Sequence, residues 1–415
     1  MKIGLMSHAL PYLPSRGGFR LYGANLIRWL SKRHEIDLIS LLQDDDDEHL
    51  EWAQQFCVST TWIPTQRAGA PKRIANILSA YLRGTPLHYR AQLRSILSDG
   101  FRRRKWDVLH IEGAFVGGLV PTDLPVAKVL SLHDSWTLRC AEMLQCSQSL
   151  REKAHYTFLK YYEPRFERLL YPRFERCVVV ADRDAQEVRR VVPKAAVAMI
   201  PYGTDTEYFH PVPVEKQDAT LVFHSHLGYA PNIEAALEFA EKIFPLIRRE
   251  VPNATFHLVG ADPVPKIKAL ATQPGIRISA NLPDLRAAVC SARIYVCAIR
   301  HGTGLKSKVL EAMAMAMPIV AYHPGSTVGI DCVYGKHLLA AETPNEFAAH
   351  VVDLLRYPEK AEQIAQAGRK LVEEKYSWES RAKTYEELYQ QVIEERQSRT
   401  RVSYVVLPSK TGQAV

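Results

Sequence analysis

No stretch of this chain reaches the roughly 18 consecutive apolar residues that a membrane-spanning helix needs, which excludes an integral helical span. Cysteine is scarce, with seven in 415 residues, at positions 57, 140, 146, 177, 290, 297 and 332. An odd, dispersed set with members in apolar runs such as Cys177-Val-Val-Val excludes a disulfide scaffold and reads as reduced core thiols. Cys140 and Cys146 stand nearest each other, but a lone pair without a second one is no zinc signature. Glycine (21) and proline (25) are too few for a collagen-like or low-complexity chain. The opening Met1-Lys2-Ile3-Gly4-Leu5-Met6-Ser7 reads as a strand rather than a signal peptide, because His8 and Pro11 interrupt any apolar core of one.

What is present is ordinary globular material, 47% hydrophobic and 24% charged. The length suggests two or three domains, each able to bury its own core. The net charge of +8 is unevenly spread. Between Arg67 and Lys105 ten Lys/Arg stand against one acid, Asp99, a local excess of nine, and the rest of the chain is close to neutral. Ile74, Ile77, Leu78, Tyr81 and Leu82 recur there at helical spacing among Lys72, Arg73 and Arg83. The pattern fits either an amphipathic helix on an anionic membrane surface or a helix packing its stripe on its own domain. A nucleic-acid partner is not expected, since no aromatic-lined groove or known module accompanies the charge.

Apolar strands alternate with helical segments along the chain. Ile3–Ser7, Ile36–Leu42, Asp107–Ile111, Val126–Leu132, Cys177–Ala181 and Ala196–Ile200 form a first set, with a helix over Leu21–Arg33 after Gly17-Gly18. The polar, proline-bearing stretch Pro211–Asp218 reads as a linker. The series restarts with Thr220–His224, a helix over Asn232–Glu250, and strands Ala254–Val259, Ile276–Ser279, Arg293–Ala298 and Pro318–Tyr322. From Pro344 onward the chain reads as helical, and Ser398–Val415 as a loosely held, turn-rich tail. Alternation of this kind predicts an α/β fold of two Rossmann-like, doubly wound parallel-sheet domains facing a cleft, with the site at the strand C-termini. No G-x-G-x-x-G follows the first strand of either half, so a dehydrogenase is excluded.

The densest chemistry is His301-Gly302-Thr303-Gly304-Leu305-Lys306-Ser307-Lys308-Val309-Leu310-Glu311. Glycines let backbone N–H groups approach a ligand, a helix N-terminus favours an anion, and the lysines add positive charge. Glu311, about a turn into the helix, is placed to accept two ribose hydroxyls. On these residues alone the segment reads equally as a glycine-rich turn with solvated lysines. His133-Asp134 ends a strand, and the histidine reads either as a hydrogen-bond donor at a cleft or as a core histidine satisfied by its neighbours; His8 shares that strand-end position. His224 and His226 flank the second half's first strand-turn. The run Asp44-Asp-Asp-Asp-Glu48 reads as a solvated loop rather than a metal site.

The stretch Lys308-Val-Leu-Glu311-Ala-Met-Ala314-Met-Ala-Met-Pro318-Ile-Val-Ala resembles the donor-binding motif of GT-B glycosyltransferases, specifically the large retaining family 4. The resemblance extends over Asp107–Glu112, Ser131–Asp134, Ile200–Phe209, Phe223–Asn232, Gly329-Ile330, Gly335–Leu339 and Glu373–Glu379. Within that family, Pro14–Arg20 and Gly302-Thr-Gly304 look most similar to the sugar transferases associated with exopolysaccharide and exosortase gene clusters. The resemblance implies metal-independent, cofactor-free transfer of a sugar from a nucleotide-diphosphate-sugar to a hydroxyl of a sugar, lipid-linked or small-molecule acceptor. It implies an acceptor-side domain over 1–205 completed by a helix at about 379–397, a donor domain over 206–378 and a flexible tail over 398–415. His133 and Asp134 would act at the reacting sugar. Gly302, Thr303, Gly304, Lys306, Lys308, Glu311, Ser225 and His226 would hold the donor, and Arg16, Gly17, Gly18 and Arg20 would form the phosphate and acceptor loop. A cytoplasmic protein, touching the inner face of an anionic membrane through 67–105, is the expectation.

The chain departs from the family at several of these positions. Thr303 stands where the first Glu of E-x7-E is expected, Ser225 and His226 replace a Gly and an Arg, and no lysine follows in Tyr229-Ala-Pro-Asn232. Two alternatives therefore accompany sugar transfer: a pseudo-glycosyltransferase or other altered chemistry of natural-product type, and a degenerate, non-catalytic sugar-binding or scaffold protein.

Overall fold

Runs of β-branched and aliphatic residues buried on both faces produce two wholly parallel sheets, the pattern expected when helices cover each face. The structure, a computed structural model, describes residues 1–13, 18–43, 46–65, 70–84, 90–147, 149–300 and 305–405. The chain divides into two compact units, Met1–Pro201 with Ala382–Val415, and Tyr202–Arg381.

The first unit holds β1 (Lys2–Ser7), β2 (Glu35–Leu42), β3 (Ser59–Pro64), β4 (Val108–Glu112), β5 (Ala127–His133), β6 (Arg176–Val179) and β7 (Val197–Met199), in the order β3-β2-β1-β4-β5-β6-β7. Ser7 lies opposite Glu112, and Glu112 opposite Ser131, so β1 and β4 end level and β5 runs two residues further, to His133. Trp106 fills the space that side chains at Gly4 and Gly100 would occupy, and its indole N–H donates to Asp37 at 2.7 Å. Ser135 caps the helix Trp136–Cys146, and a capping box of Ser149 and Glu152 starts the helix Leu150–Leu170. The long helix Trp378–Val405 brings Tyr385, Glu386, Tyr389 and Glu395 onto this unit through bonds to Tyr22, Arg33, His110 and Arg176.

The second unit holds β8 (Thr220–His224), β9 (Thr255–Gly260), β10 (Ile276–Ala280), β11 (Ile294–Cys297), β12 (Ile319–Tyr322) and β13 (Leu339–Ala341), ordered β10-β9-β8-β11-β12-β13. In both sheets the strand order reverses beside the first strand, between β1 and β4 and between β8 and β11. Such a switch point is where an open α/β sheet leaves a crevice for a ligand.

Three local readings are corrected. Strands β3 and β13 escape the hydrophobic pattern because β3 is a half-exposed, Thr-rich edge and β13 is three residues long. The helix expected over Asn232–Glu250 is broken by a π-turn at Phe239–Ile243, where Pro245 lacks the N–H that would continue it. The helix that opens at Trp378 runs to Val405, through the start of the stretch read as a loose tail.

Candidate functional site

The switch point of the second unit gathers several of the expected donor residues. His224 ends β8, and its Nε2 lies 2.8 Å from Glu311 Oε2, on the helix Ser307–Ala314 that follows β11. Glu311 is 22% exposed, and its Oε1 has no partner among the described residues. The Tyr295 hydroxyl donates to the His224 carbonyl at 3.3 Å, fixing the strand end from behind. Two polar atoms here are buried without a partner among the described residues, His224 Nδ1 and Ser225 Oγ. Buried polar groups are rarely left so, and a cluster of them at a crevice marks a place for a ligand's own donors and acceptors.

Lys306 is the N-cap of that helix and contributes no side-chain cap, so the first N–H groups stay available to an anion. Burial, and then the charge of Lys308, draw the Lys306 ammonium below its usual value. The turn after β8 depends on Gly260, since a Cβ there would sit 1.7 Å from the Ser225 carbonyl oxygen. His226 points outward, 56% exposed, with Nε2 3.2 Å from Asp262. Gly302, Thr303 and Gly304 lie outside the described residues.

In the first unit the strand ends carry a closed polar chain. His133 is the last residue of β5 and holds φ +65°, a left-handed conformation uncommon for a side chain of its size. Its Nε2 meets Glu112 Oε2 at 2.6 Å, His110 Nε2 meets Glu112 Oε1 at 2.5 Å, and the Tyr389 hydroxyl meets His110 Nδ1 at 2.7 Å. Burial alone would raise the Glu112 carboxyl, yet the two imidazoles outweigh it and hold the carboxyl down to about 2. The His133 ring is 1% exposed, packed against Phe19 and Tyr22 at 4.2 and 4.6 Å between centroids. His8, one residue past β1, packs edge-on against Phe19, and its Nδ1 donates to the Glu112 carbonyl at 3.2 Å. Gly113 admits that bond: it has φ +103°, and a Cβ there would stand 2.9 Å from His8 Nδ1.

Asp134 faces solvent, paired with Arg139 at 3.1 Å. Gly18 opens the helix Gly18–Leu30, while Arg16 and Gly17 lie outside the described residues. Arg20 is consumed within its own unit by Asp46, Gln43 and the Leu10 carbonyl. Asp46 is buried, which corrects the reading of the acidic run as a wholly solvated loop, although Asp44 and Asp45 are outside the described residues. Within the basic stretch, Arg94, Arg102 and Arg104 pair with Asp123, Asp99 and the Glu35–Asp37 carboxylates, so the cationic patch is smaller than its residue count. Sequence reasoning gave Glu112 no role. The signal was there in His110-x-Glu112 at a strand end, where a period of two puts both side chains on one face.

Residues 16–208 match the family described as Glycosyltransferase Family 4, and residues 218–357 match Glycosyl transferases group 1. No curated protein matches the chain significantly in sequence. Among solved structures it is similar to a sucrose-phosphate synthase from Thermosynechococcus elongatus, with TM-score 0.58, 16% identity, and 95% of this chain and 99% of that one covered. A glycosyltransferase from Rickettsia africae gives TM-score 0.62 at 14% identity, covering 94% of this chain and 99% of that one. HepE of Anabaena, in complex with UDP, gives 0.59 at 12% identity, covering 94% and 100%. At these identities the structural likeness speaks for the fold, and the two matched families speak for the activity class. On both counts together, the chain is a GT-B glycosyltransferase.

Proposed function

We propose that this protein moves a sugar from a nucleotide-diphosphate-sugar to an acceptor hydroxyl with retention of anomeric configuration and without a metal ion, in the setting of polysaccharide assembly. The observation that carries the donor assignment is the polar end of β8: among the described residues His224 Nδ1 and Ser225 Oγ are buried without a partner, and Glu311 stands beside them on a helix whose N-cap, Lys306, makes no side-chain cap. HepE, similar in fold, has been solved with UDP and with UDP-glucose, which supports the same class of donor here.

In this reading Glu311 accepts ribose hydroxyls, while His224 holds its carboxylate in place. Lys306, Lys308 and the helix N–H groups steady the diphosphate as it leaves. Ser225 and His226 stand where the sheet meets the phosphates. The anomeric C–O bond to phosphate breaks, the acceptor oxygen bonds to the same face, and the departing phosphate oxygen takes the acceptor proton. His133, its Nε2 held by Glu112, acts at the reacting sugar in this reading. A thermal-shift screen across UDP-, GDP-, ADP- and dTDP-sugars, followed by NMR of the product anomer, tests the proposal. Stabilisation by one nucleotide class and a retained anomer are expected; no stabilisation by any of them would overturn it.

A peripheral contact with an anionic membrane belongs to the same proposal. It is supported by the helix Ala70–Arg83, which leaves Ile77, Leu78 and Leu82 44%, 55% and 52% exposed. Flotation with anionic and with neutral vesicles tests it, and equal flotation on both would count against an electrostatic contact.

A further inference from the structure

The first unit contains a pocket of about 310 Å³, within the range of small-molecule sites. Its position is set by the sheet: His8 follows β1, and Gly113, Ala114 and Phe115 follow β4, so it opens at the switch point. Phe19, Ile77, Phe115 and Trp136 supply apolar walls, and His8, Asn76, Tyr162 and Glu163 are its polar side chains among the described residues. No lysine or arginine lines it among the described residues.

From this lining we infer that the protein's acceptor is uncharged and carries its reactive hydroxyl on an apolar alkyl or aryl body that sits in this pocket. The inference rests on the glycosyl-transfer reading and narrows its substrate class. A bare sugar would bury several hydroxyls in a lining that is mostly apolar, where few side chains besides His8, Asn76, Tyr162 and Glu163 can hydrogen-bond them, and each hydroxyl left unpaired is costly. A phosphate-bearing acceptor would meet no lysine or arginine among the described lining residues. It would also face Glu163, whose carboxyl is raised to about 7 by burial and then by the neighbouring charge of Glu167, and which is therefore anionic above neutrality. An alkyl or aryl body instead gains contact with aromatic faces. Half-exposed Ile77 and Phe115 at the rim leave room for that body to extend outward.

The hydroxyl end is fixed by His8. Burial lowers the His8 imidazole below its usual value, so the ring is neutral. Its Nδ1–H is held by the Glu112 carbonyl, which leaves Nε2 as a lone pair able to receive an acceptor O–H. Phe19 bridges His8 to His133, so the hydroxyl end lies beside the cluster placed at the reacting sugar.

The test is calorimetric titration of the whole protein with octyl β-glucoside below its micelle threshold, phenyl β-glucoside, glucose and glucose 1-phosphate, with no donor present. Both glucosides are expected to bind at least about tenfold tighter than glucose or its phosphate, and their ratio separates alkyl from aryl preference. Ile77→Asn and Phe115→Ser, at exposed positions that the fold tolerates, should each weaken glucoside binding about tenfold without changing the melting temperature. Leu82→Asn, exposed but outside the pocket lining, should not. Glucose binding as tightly as the glucosides, or glucoside affinity indifferent to both pocket substitutions, overturns the inference. Because no donor is used, glucoside binding without any nucleotide-sugar turnover would sink the transfer reading and leave the pocket assignment standing.

Discussion

At the ends of β4 and β5 the buried polar atoms of His110, Glu112 and His133 are knitted to one another and to Tyr389, whereas at the end of β8 His224 Nδ1 and Ser225 Oγ are buried with no partner among the described residues. The two sheets share a topology and a switch point, so the difference lies in what each was left to recognise. A site for a nucleotide and its phosphates keeps donors and acceptors in reserve. A site for an apolar acceptor ties up most of its polar groups internally, keeps His8 Nε2 for one hydroxyl, and otherwise presents mainly rings and aliphatic chains. The closed cluster is correspondingly a structural liability if broken, while the open one is a binding liability.

The largest effect should come from Glu112→Ala. It strips two buried imidazoles of their shared carboxylate, and losing one member of such a buried set costs about 3–5 kcal/mol. Denaturant unfolding followed by probes in each unit should show the loss in the first unit; a loss under about 1 kcal/mol would mean the cluster is not load-sharing. Glu311→Ala should do the reverse. Stability should change by less than about 1 kcal/mol, since the carboxylate is partly solvated and its one partner among the described residues is His224. Donor KM should rise about 10- to 100-fold through the loss of charge-assisted hydrogen bonds to the ribose. Equal destabilisation by the two substitutions would erase the contrast between the sites.

The legible part of this molecule was what burial period and strand ends encode. The alternation of apolar runs gave both parallel sheets, and Glu311 with Lys306 and Lys308 stood out because a helix start after a strand has few other uses for them. Less legible were features that depend on long-range closure. Glu112 is joined to His133 across 21 residues and, through His110, to Tyr389 across 279. Arg20 looked available until the fold brought Asp46 and Gln43 to it. The pocket residues Ile77, Phe115 and Trp136 come from three separate segments whose exposure no local pattern announces.

The pH dependence of the first unit sharpens the contrast further. Burial, aided by mutual repulsion, pushes Glu163 up to about 7, and burial does the same for Glu167. The native unit therefore holds protons that an unfolded carboxyl releases near 4.5, and the contribution of these two groups to its stability falls as pH rises from about 4.5 to 7. Glu112, held down to about 2, works oppositely, since its contribution is present above about 4.5 and is lost as pH falls toward 2. Replacing both Glu163 and Glu167 by Gln should flatten the decline between pH 4.5 and 7 without touching the acid limb. Urea midpoints measured across that range for wild type and the double variant provide the check, and parallel curves would refute the assignment.

The smallest expected effect concerns Asp134, adjacent in sequence to His133 yet turned to solvent. Its carboxylate meets Arg139 at 3.1 Å with the two side chains 43% and 50% exposed, and solvent-exposed pairs of this kind contribute little. Asp134→Asn should shift stability by no more than about 0.5 kcal/mol and leave kcat within about twofold of wild type, well short of the 1.36 kcal/mol that a tenfold change represents. His133→Gln should lower kcat much further, because it removes the imidazole that Glu112 orients. A tenfold loss in Asp134→Asn would place its carboxylate at the reacting sugar after all, and the first unit's strand ends would then hold an open polar group like that of the second.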